Sequence, residues 1–516
     1  MKRSLTWCCW LALGAAQFAV AAVDRIEVKS RAPFHDFKAG PYIRISGTFV
    51  GSLDPSEPIP HLAQAARRAD GRIEYSSEFE ILAPERPSAG NRVMLFDVEN
   101  RGHPITNGLY NTPVDPARSK PDAGNGYLED NGYTVVSIHW EDGHGIRLPT
   151  YPGAGGKPAP LLAVGFAAIR DFAAFLRFET ADKAGTPNPL AGTIRWAIAS
   201  GSSQTARVLK SFLYAGFNRA GNRTVFDGLH PHIGQSGTMP YIPPEGAGAE
   251  TVALTITGDS SVYPFTYAEI LAPLKARGET PPKIVATNVE GDYYRRRLSL
   301  VRTGSSGITD VAIPETVRLW DFTGASHGII SGANAAICDM PRANLDWHPL
   351  TRAALAALTR WVVANEPPPP TKLISLTTSP AVPYLLPPPT ADYPKAQLLV
   401  PRRDRDGIAE AGIRLPAVTV PLQTFGGWNA PIENNCGDMS VFAYPFARTR
   451  FERMMKNDPR PSLEERYEGP ADYVVRFEAA AAALRKEGYL LEADAAALVE
   501  GARKTSTIVP ERTQVK

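Results

Sequence analysis

The sequence predicts an α/β protein: a mostly parallel central sheet, an antiparallel β region ahead of it, and a C-terminal extension wrapped over it. Three observations carry this. Residues 24–85 alternate with period 2, as in Tyr42–Val50 and Ile73–Leu82, with Pro/Asp/Gly turns between. Largely apolar runs follow at 92–99, 133–140, 283–287 and 317–322, with another leading from Ile194 into Ser200. Helical periodicity intervenes at 161–180, after Ser203, and at 350–364.

The first 21 residues look like an export signal. Lys2 and Arg3 precede an apolar run from Leu5 to Val20, and Ala19-Val20-Ala21 is an A-x-A cleavage site. The run is short for a membrane span, so no stable insertion is expected after cleavage, and the product is periplasmic or secreted. Cys8 and Cys9 leave with the signal. Cys338 and Cys436 remain and can pair in an oxidising compartment.

The 516-residue length suits one large α/β unit with additions. A hydrophobic content of 43% and a charged content of 21% fit a globular core. The net charge of +2 gives no reason to expect nucleic acid as a partner. The expected divisions are a signal at 1–21, a core with its β addition at 22–365, a Pro-rich extended crossing at 366–400, and an extension at 401–516 packed on the core.

Each element has its own signal. Leu161–Thr180 repeats Leu162, Phe166, Ile169, Phe172 and Leu176 at helical spacing. Gly143–Ala159 is Gly/Pro-rich and reads as loop. Gly216 can stop the helix that starts after Ser203. Pro367–Pro370 end the helix at 350–364. Ile413–Val420 reads as a strand. Ser462-Leu463-Glu464-Glu465 is a capping box, and Tyr473–Lys486 and Ala493–Ala502 are helices divided by Gly488.

The stretch Ile194–Arg207 is the centre of the chemistry. It reads as a buried strand, a turn of small residues (Gly201-Ser202-Ser203) and a helix, the way a serine nucleophile is presented. The usual G-x-S-x-G lacks its last glycine. A serine hydroxyl needs a base within hydrogen-bond reach and an acid to orient that base. His327, in Thr323-Gly324-Ala325-Ser326-His327-Gly328, is the histidine that directly follows a downstream core strand. His230 and His232 form an H-x-H without further ligands, weak evidence for metal, and none is expected. For the acid, Glu290 and Asp292 share the loop after residue 287, and spacing alone does not choose between them. Asp310 and Asp321 are weaker candidates. Oxyanion donors are expected from the backbone of Gln204 and from Asn100-Arg101-Gly102, after an early strand.

At this point the sequence resembles the serine-dependent "alpha/beta hydrolase domain" proteins, a mostly bacterial group of large esterase-like members. Asn100-Arg101-Gly102, Gly132–Val136 followed by Trp140, Ala168–Phe172 with Phe175-Leu176-Arg177, and Gly201-x-Ser203-Gln204-Thr205 match its landmarks in order. So do Gly216-Phe217-Asn218, Phe226-Asp227-Gly228, Gly324–Gly328, Gly426–Asn429, Pro445–Thr449 and Asp458–Ser462. The resemblance covers about residues 40–500. It implies an α/β-hydrolase fold. It also favours Asp292 as the acid, because the family sets a carboxylate directly before an aromatic pair, here Tyr293-Tyr294, with Asp for the usual Glu. Ala206 stands where the family often has glycine.

Together these readings give an exported serine esterase using Ser203, His327 and Asp292, with Glu290 as the alternative acid and no metal or organic cofactor. Its substrate would be a small-molecule or polymeric ester. Competing readings are an acyltransferase with the same triad, and a non-catalytic exported binding protein on the same fold.

Overall fold

The computed structural model describes residues 23–113, 120–239, 263–329, 338, 340–343, 345–378, 399–429 and 441–512. The predicted signal segment and Cys436 lie outside these residues. Cys338 is buried and disulfide-bonded.

Nine strands form one sheet: β1 (Val23–Phe37), β2 (Gly40–Leu53), β3 (Ile73–Pro84), β4 (Val93–Val98), β5 (Thr134–Ile138), β6 (Trp196–Ser202), β7 (Gly228–His232), β8 (Lys283–Val289) and β9 (Val317–Phe322). Their order is β1-β2-β3-β5-β4-β6-β7-β8-β9. The pairs from β1 to β5 are antiparallel, and those from β5 through β9 are parallel. This is an α/β hydrolase sheet with antiparallel strands added at its N-terminal edge.

Burial explains the two sequence patterns. All six residues of β4 are buried, because both faces of the parallel sheet are covered. Met94 and Phe96 face one core, Val93 and Leu95 the other. The first core holds α1 (Ala163–Phe178), α2 (Gln204–Tyr214) and α3 (Tyr267–Ala276). Phe172 of α1 stacks on Phe49 at 4.4 Å and meets Phe79 at 5.1 Å. A Cβ on Gly165 would lie 2.2 Å from the Trp140 carbonyl oxygen, so glycine is what lets α1 approach the end of β5. The second core lies under α4 (His348–Ala364), with Leu350, Leu355 and Leu358 turned inward.

The C-terminal part covers the β9 edge. Asp321 N–H donates to the Lys372 carbonyl at 3.0 Å, and Ile413 N–H donates to the Asp321 carbonyl at 2.7 Å. These contacts blunt an edge that would otherwise be free to pair with another chain. Helices α5 (Pro470–Lys486) and α6 (Glu492–Thr505) then pack over α4 and β9, with Tyr489 edge-on to Trp320 at 4.8 Å. Among the described residues, no helix is long and apolar enough to cross a membrane.

Two local expectations change, and two elements appear that the sequence analysis did not assign. Residues 228–232 form a central strand, although two histidines and a proline disguise it. Residues 413–420 are not a strand: Ile413 makes one bridge to Phe322, and Pro416 then opens a short helix, Pro416–Thr419, because its fixed φ suits a first helical position. The 143–159 loop contains a small hairpin pairing Thr150–Pro152 with Pro158–Pro160. Helix α3 begins with a reciprocal capping box of Thr266 and Glu269, a signal that is present in the sequence. The capping box at Ser462 and Glu465 forms as expected.

Arg352 of α4 ties three regions together. Its Nη2 donates to Asp494 of α6 at 2.7 Å, and its Nη1 donates to the carbonyls of Thr112 (2.7 Å) and Tyr110 (3.3 Å). Replacing Asp494 with alanine leaves this buried cation without its counter-charge. We expect Asp494→Ala to lose about 3–5 kcal/mol of stability. Urea unfolding measures it, and an unchanged midpoint would show that the pair is not holding α6 to the core.

Candidate active site

The serine turn is built by close backbone approach. A Cβ on Gly201 would lie 2.6 Å from the Thr205 carbonyl oxygen, so a side chain there is excluded. The Thr205 hydroxyl accepts from Ser202 N–H at 2.9 Å and donates to the Ser202 carbonyl at 3.1 Å. Ser203 N–H donates to the His232 carbonyl at 2.9 Å, which ties the turn to β7. Ser203 itself has φ 55° and ψ −110°, a conformation L-residues rarely adopt. Ala206 is fully buried, and room for its methyl is left by Gly234: a Cβ there would come within 3.1 Å.

Three of the residues singled out in the sequence meet at the ends of three strands. Ser203 follows β6. Asp292 follows β8 in the helical turn Gly291–Arg295. His327 lies in the loop after β9. His327 Nδ1 and Asp292 Oδ1 are 2.7 Å apart, and Ser203 Oγ and His327 Nε2 are 2.9 Å apart. A carboxylate accepts only, so the ring proton sits on Nδ1 and Nε2 is left to accept from the serine hydroxyl. Burial holds His327 below the usual histidine pKa, and the Arg296 and Arg207 charges push the same way; Asp292 opposes them.

The other carboxylates are engaged elsewhere. Glu290 is fully buried, accepts from Gly324 N–H at 2.7 Å and pairs with Arg403. It therefore braces the loop that carries His327 and links it to the C-terminal part, while the His327 ring itself meets Asp292. Asp321 accepts from the Tyr293 hydroxyl at 2.7 Å and from Ile374 N–H at 3.1 Å. Asp310 pairs with Arg302 near the surface.

The oxyanion expectation needs correction for part of the Asn100–Gly102 loop. Asn100 N–H is used within its own turn, donating to the His103 carbonyl at 2.9 Å, and the Asn100 side chain donates to the Ser202 carbonyl at 3.1 Å. Arg101 N–H donates to Glu141 Oε2 at 3.2 Å. Gly102 lies against His144. Gln204 differs: it is the first residue of α2, where a backbone N–H has no acceptor within the helix. Its N–H adjoins Ser203, and among the described residues neither it nor the Gly102 N–H has an acceptor, so these two of the four stay open as donors.

Two carboxylates that sequence reasoning missed set this side of the site. Glu141 accepts from Gln204 Nε2 at 2.6 Å as well as from Arg101 N–H, and so clamps the loop after β4 to the start of α2. Asp97, fully buried in β4, accepts from Ile105 N–H (2.8 Å), Thr106 N–H (2.7 Å) and the Thr106 hydroxyl (2.7 Å) through one oxygen. Burial pushes its carboxyl up to about 7. The position of Glu141 directly after Trp140 gave no sign of this role, because its partners come from distant segments.

The H-x-H pair lies inside β7. His230 Nδ1 bonds the Tyr110 hydroxyl and its Nε2 lies 3.1 Å from Thr287 Oγ1; His232 Nδ1 lies 2.8 Å from the same oxygen. Burial lowers the pKa of both rings, His230 to about 3, so they are neutral structural groups of the sheet. Above them Ser203 and His327 open onto a cleft of about 510 Å³. One wall is apolar, with Ile105, Leu109 and Ile233; Trp347 closes another side and donates to the Ser326 carbonyl at 3.2 Å.

Among curated proteins, none matches the chain in sequence. In three dimensions it is similar to a glucuronoyl esterase from Solibacter usitatus, with 12% identity, 59% of this chain and 84% of that chain covered, and a TM-score of 0.30. It is also similar to an S-formylglutathione hydrolase from Staphylococcus aureus, with 10% identity, 48% and 80% covered, and a TM-score of 0.24. A rice cell wall degrading esterase from Xanthomonas oryzae matches at 13% identity, 42% and 50% covered, and a TM-score of 0.22. A family profile described as "Alpha/beta hydrolase domain" matches residues 133–500. That match spans well over half of the chain and contains Ser203, Asp292 and His327: the protein belongs to the alpha/beta hydrolase domain family.

Proposed function

We propose that the protein is an exported serine hydrolase of carboxylic esters. The observation that carries this reading is the continuous hydrogen-bond chain from Ser203 Oγ through His327 to Asp292. Export rests on the basic start, apolar run and A-x-A site of residues 1–21.

In this reading the Ser203 oxygen attacks the ester carbonyl while its proton passes to His327 Nε2. Asp292 holds the ring in the required tautomer and stabilises the imidazolium. The Gln204 N–H, at the positive end of α2, stabilises the oxygen that gains charge. The tetrahedral intermediate collapses, His327 protonates the leaving alcohol, and the acyl group stays on Ser203. Water then attacks the acyl carbonyl and gives its proton to His327. The acid departs, and the proton returns to Ser203. The strained backbone at Ser203 supports the assignment, since such strain persists where surrounding structure enforces it and clusters at active sites.

Ser203→Ala should lower hydrolysis of 4-nitrophenyl butyrate by about 10³-fold or more, and Asp292→Asn by about 10²–10⁴-fold. Undiminished turnover by Ser203→Ala in the purified, folded variant would sink the assignment.

The pH profile is a second check. His327 must be neutral to accept the proton, and its pKa lies below the usual value. Activity should therefore rise with pH through an inflection below about 6.5 and be level at neutrality. An acid limb centred above pH ~7 would contradict this environment for the base.

A further inference from the structure

The walls of the cleft differ in charge as well as in polarity. Arg101, Arg207 and Arg296 all line it, and no Asp or Glu does among the described residues. Arg101 stands exposed on the loop after β4. Arg296 is mostly buried, and its Nε is enclosed without a hydrogen-bond acceptor. The carboxylate paired with it is Asp292, whose Oδ1 is 3.7 Å away, beyond hydrogen-bond distance, and already accepts from His327 Nδ1. Among the described residues, Arg296 thus has Asp292 as its counter-charge without a hydrogen bond at Nε, and it sits beside the reacting groups. The lowered pKa of His327 is consistent with a positive potential there, since Arg296 and Arg207 both oppose its protonation.

From this arrangement we infer that the substrate is an anionic ester, with a carboxylate near the scissile acyl group that binds Arg296 and is drawn in past Arg101. This deepens the ester-hydrolase reading and rests on it. A carboxylate in the cleft can reach the part of the Arg296 guanidinium that is accessible there and give this cation a second counter-charge through a charge-assisted hydrogen bond. The apolar side of Ile105, Leu109 and Ile233 takes the hydrocarbon part of the same molecule. A cleft lined by one sign of charge also raises the local concentration of oppositely charged substrate.

The test compares mono-4-nitrophenyl glutarate, which carries a free carboxylate, with its neutral methyl ester. In the full chain, kcat/KM should favour the free acid by about tenfold or more at low salt, as expected for a charge-assisted hydrogen bond. The preference should shrink as sodium chloride is added. Arg296→Gln should bring the ratio of the two substrates toward one, and Arg296→Lys should restore part of it. The ratio cancels any general damage to the chemistry. A wild-type preference for the neutral ester, or a ratio that Arg296→Gln leaves unmoved, overturns the proposal.

Labelling of Ser203 by a fluorophosphonate separates this proposal from the broader reading. Free glutarate should slow labelling while glutaramide does not, whether or not either nitrophenyl ester fits the cleft. Labelling that both compounds slow equally, or neither slows, overturns the anion site and leaves the hydrolase reading intact. Failure of the probe to label folded protein, together with no hydrolysis of either ester, overturns the hydrolase reading and this proposal with it.

Discussion

The structure depends on one constrained residue. Ser203 holds a positive φ of 55° between a buried strand and a helix, a conformation costing on the order of 1–3 kcal/mol. Nothing local to a serine stabilises that geometry. It is held by Gly201, which lets the turn fold against Thr205, by the Thr205 hydroxyl, and by the hydrogen bond from Ser203 N–H to His232. The last of these comes from β7, so the turn is correct only when the parallel sheet has assembled. The same sheet delivers Asp292 from β8 and His327 from β9, each one strand further along. Fold and site are therefore a single construction.

The supporting groups follow a common pattern. Buried carboxylates act as fasteners between segments distant in sequence. Asp97 pins the loop after β4, Glu141 joins that loop to α2, and Glu290 joins the His327 loop to Arg403. Arg352 with Asp494 does the same for the C-terminal helices. Each is desolvated and therefore valuable only with its partners present, because losing one partner strands a buried polar group. The C-terminal part is thereby bound to the loop beside the site, through Arg403, as well as to the β9 edge.

Much of this was legible in the sequence, for physical reasons that also set the limits. The strands around β4, β6, β8 and β9 are apolar on both faces, so their runs stand out. Ser203, Asp292 and His327 each follow such a strand, which is why their order could be read without coordinates. The strand β7 could not be seen: His230, Pro231 and His232 look like loop, and their burial is satisfied by Tyr110 and Thr287 from other segments. Proline also argues against a central strand. The contacts of Glu141 and the place of Arg296 in the cleft were hidden for the same reason, since a charge near a loop has no visible partner until the chain is folded. The loop Asn100–Gly102 lines the cleft, but hydrogen bonds to His103 and Glu141 occupy two of the donors that its position suggested.

The central claim is that Ser203 carries the acyl group during turnover. The most direct measurement is acid quenching of the enzyme during steady-state hydrolysis of a slowly deacylated 4-nitrophenyl ester, followed by peptide mass spectrometry. The account predicts an acyl mass increment on Ser203, with none on the adjacent Ser202. Acylation confined to Ser202 or to another residue, or release of nitrophenol with no acylated peptide under conditions that show a burst, would contradict it.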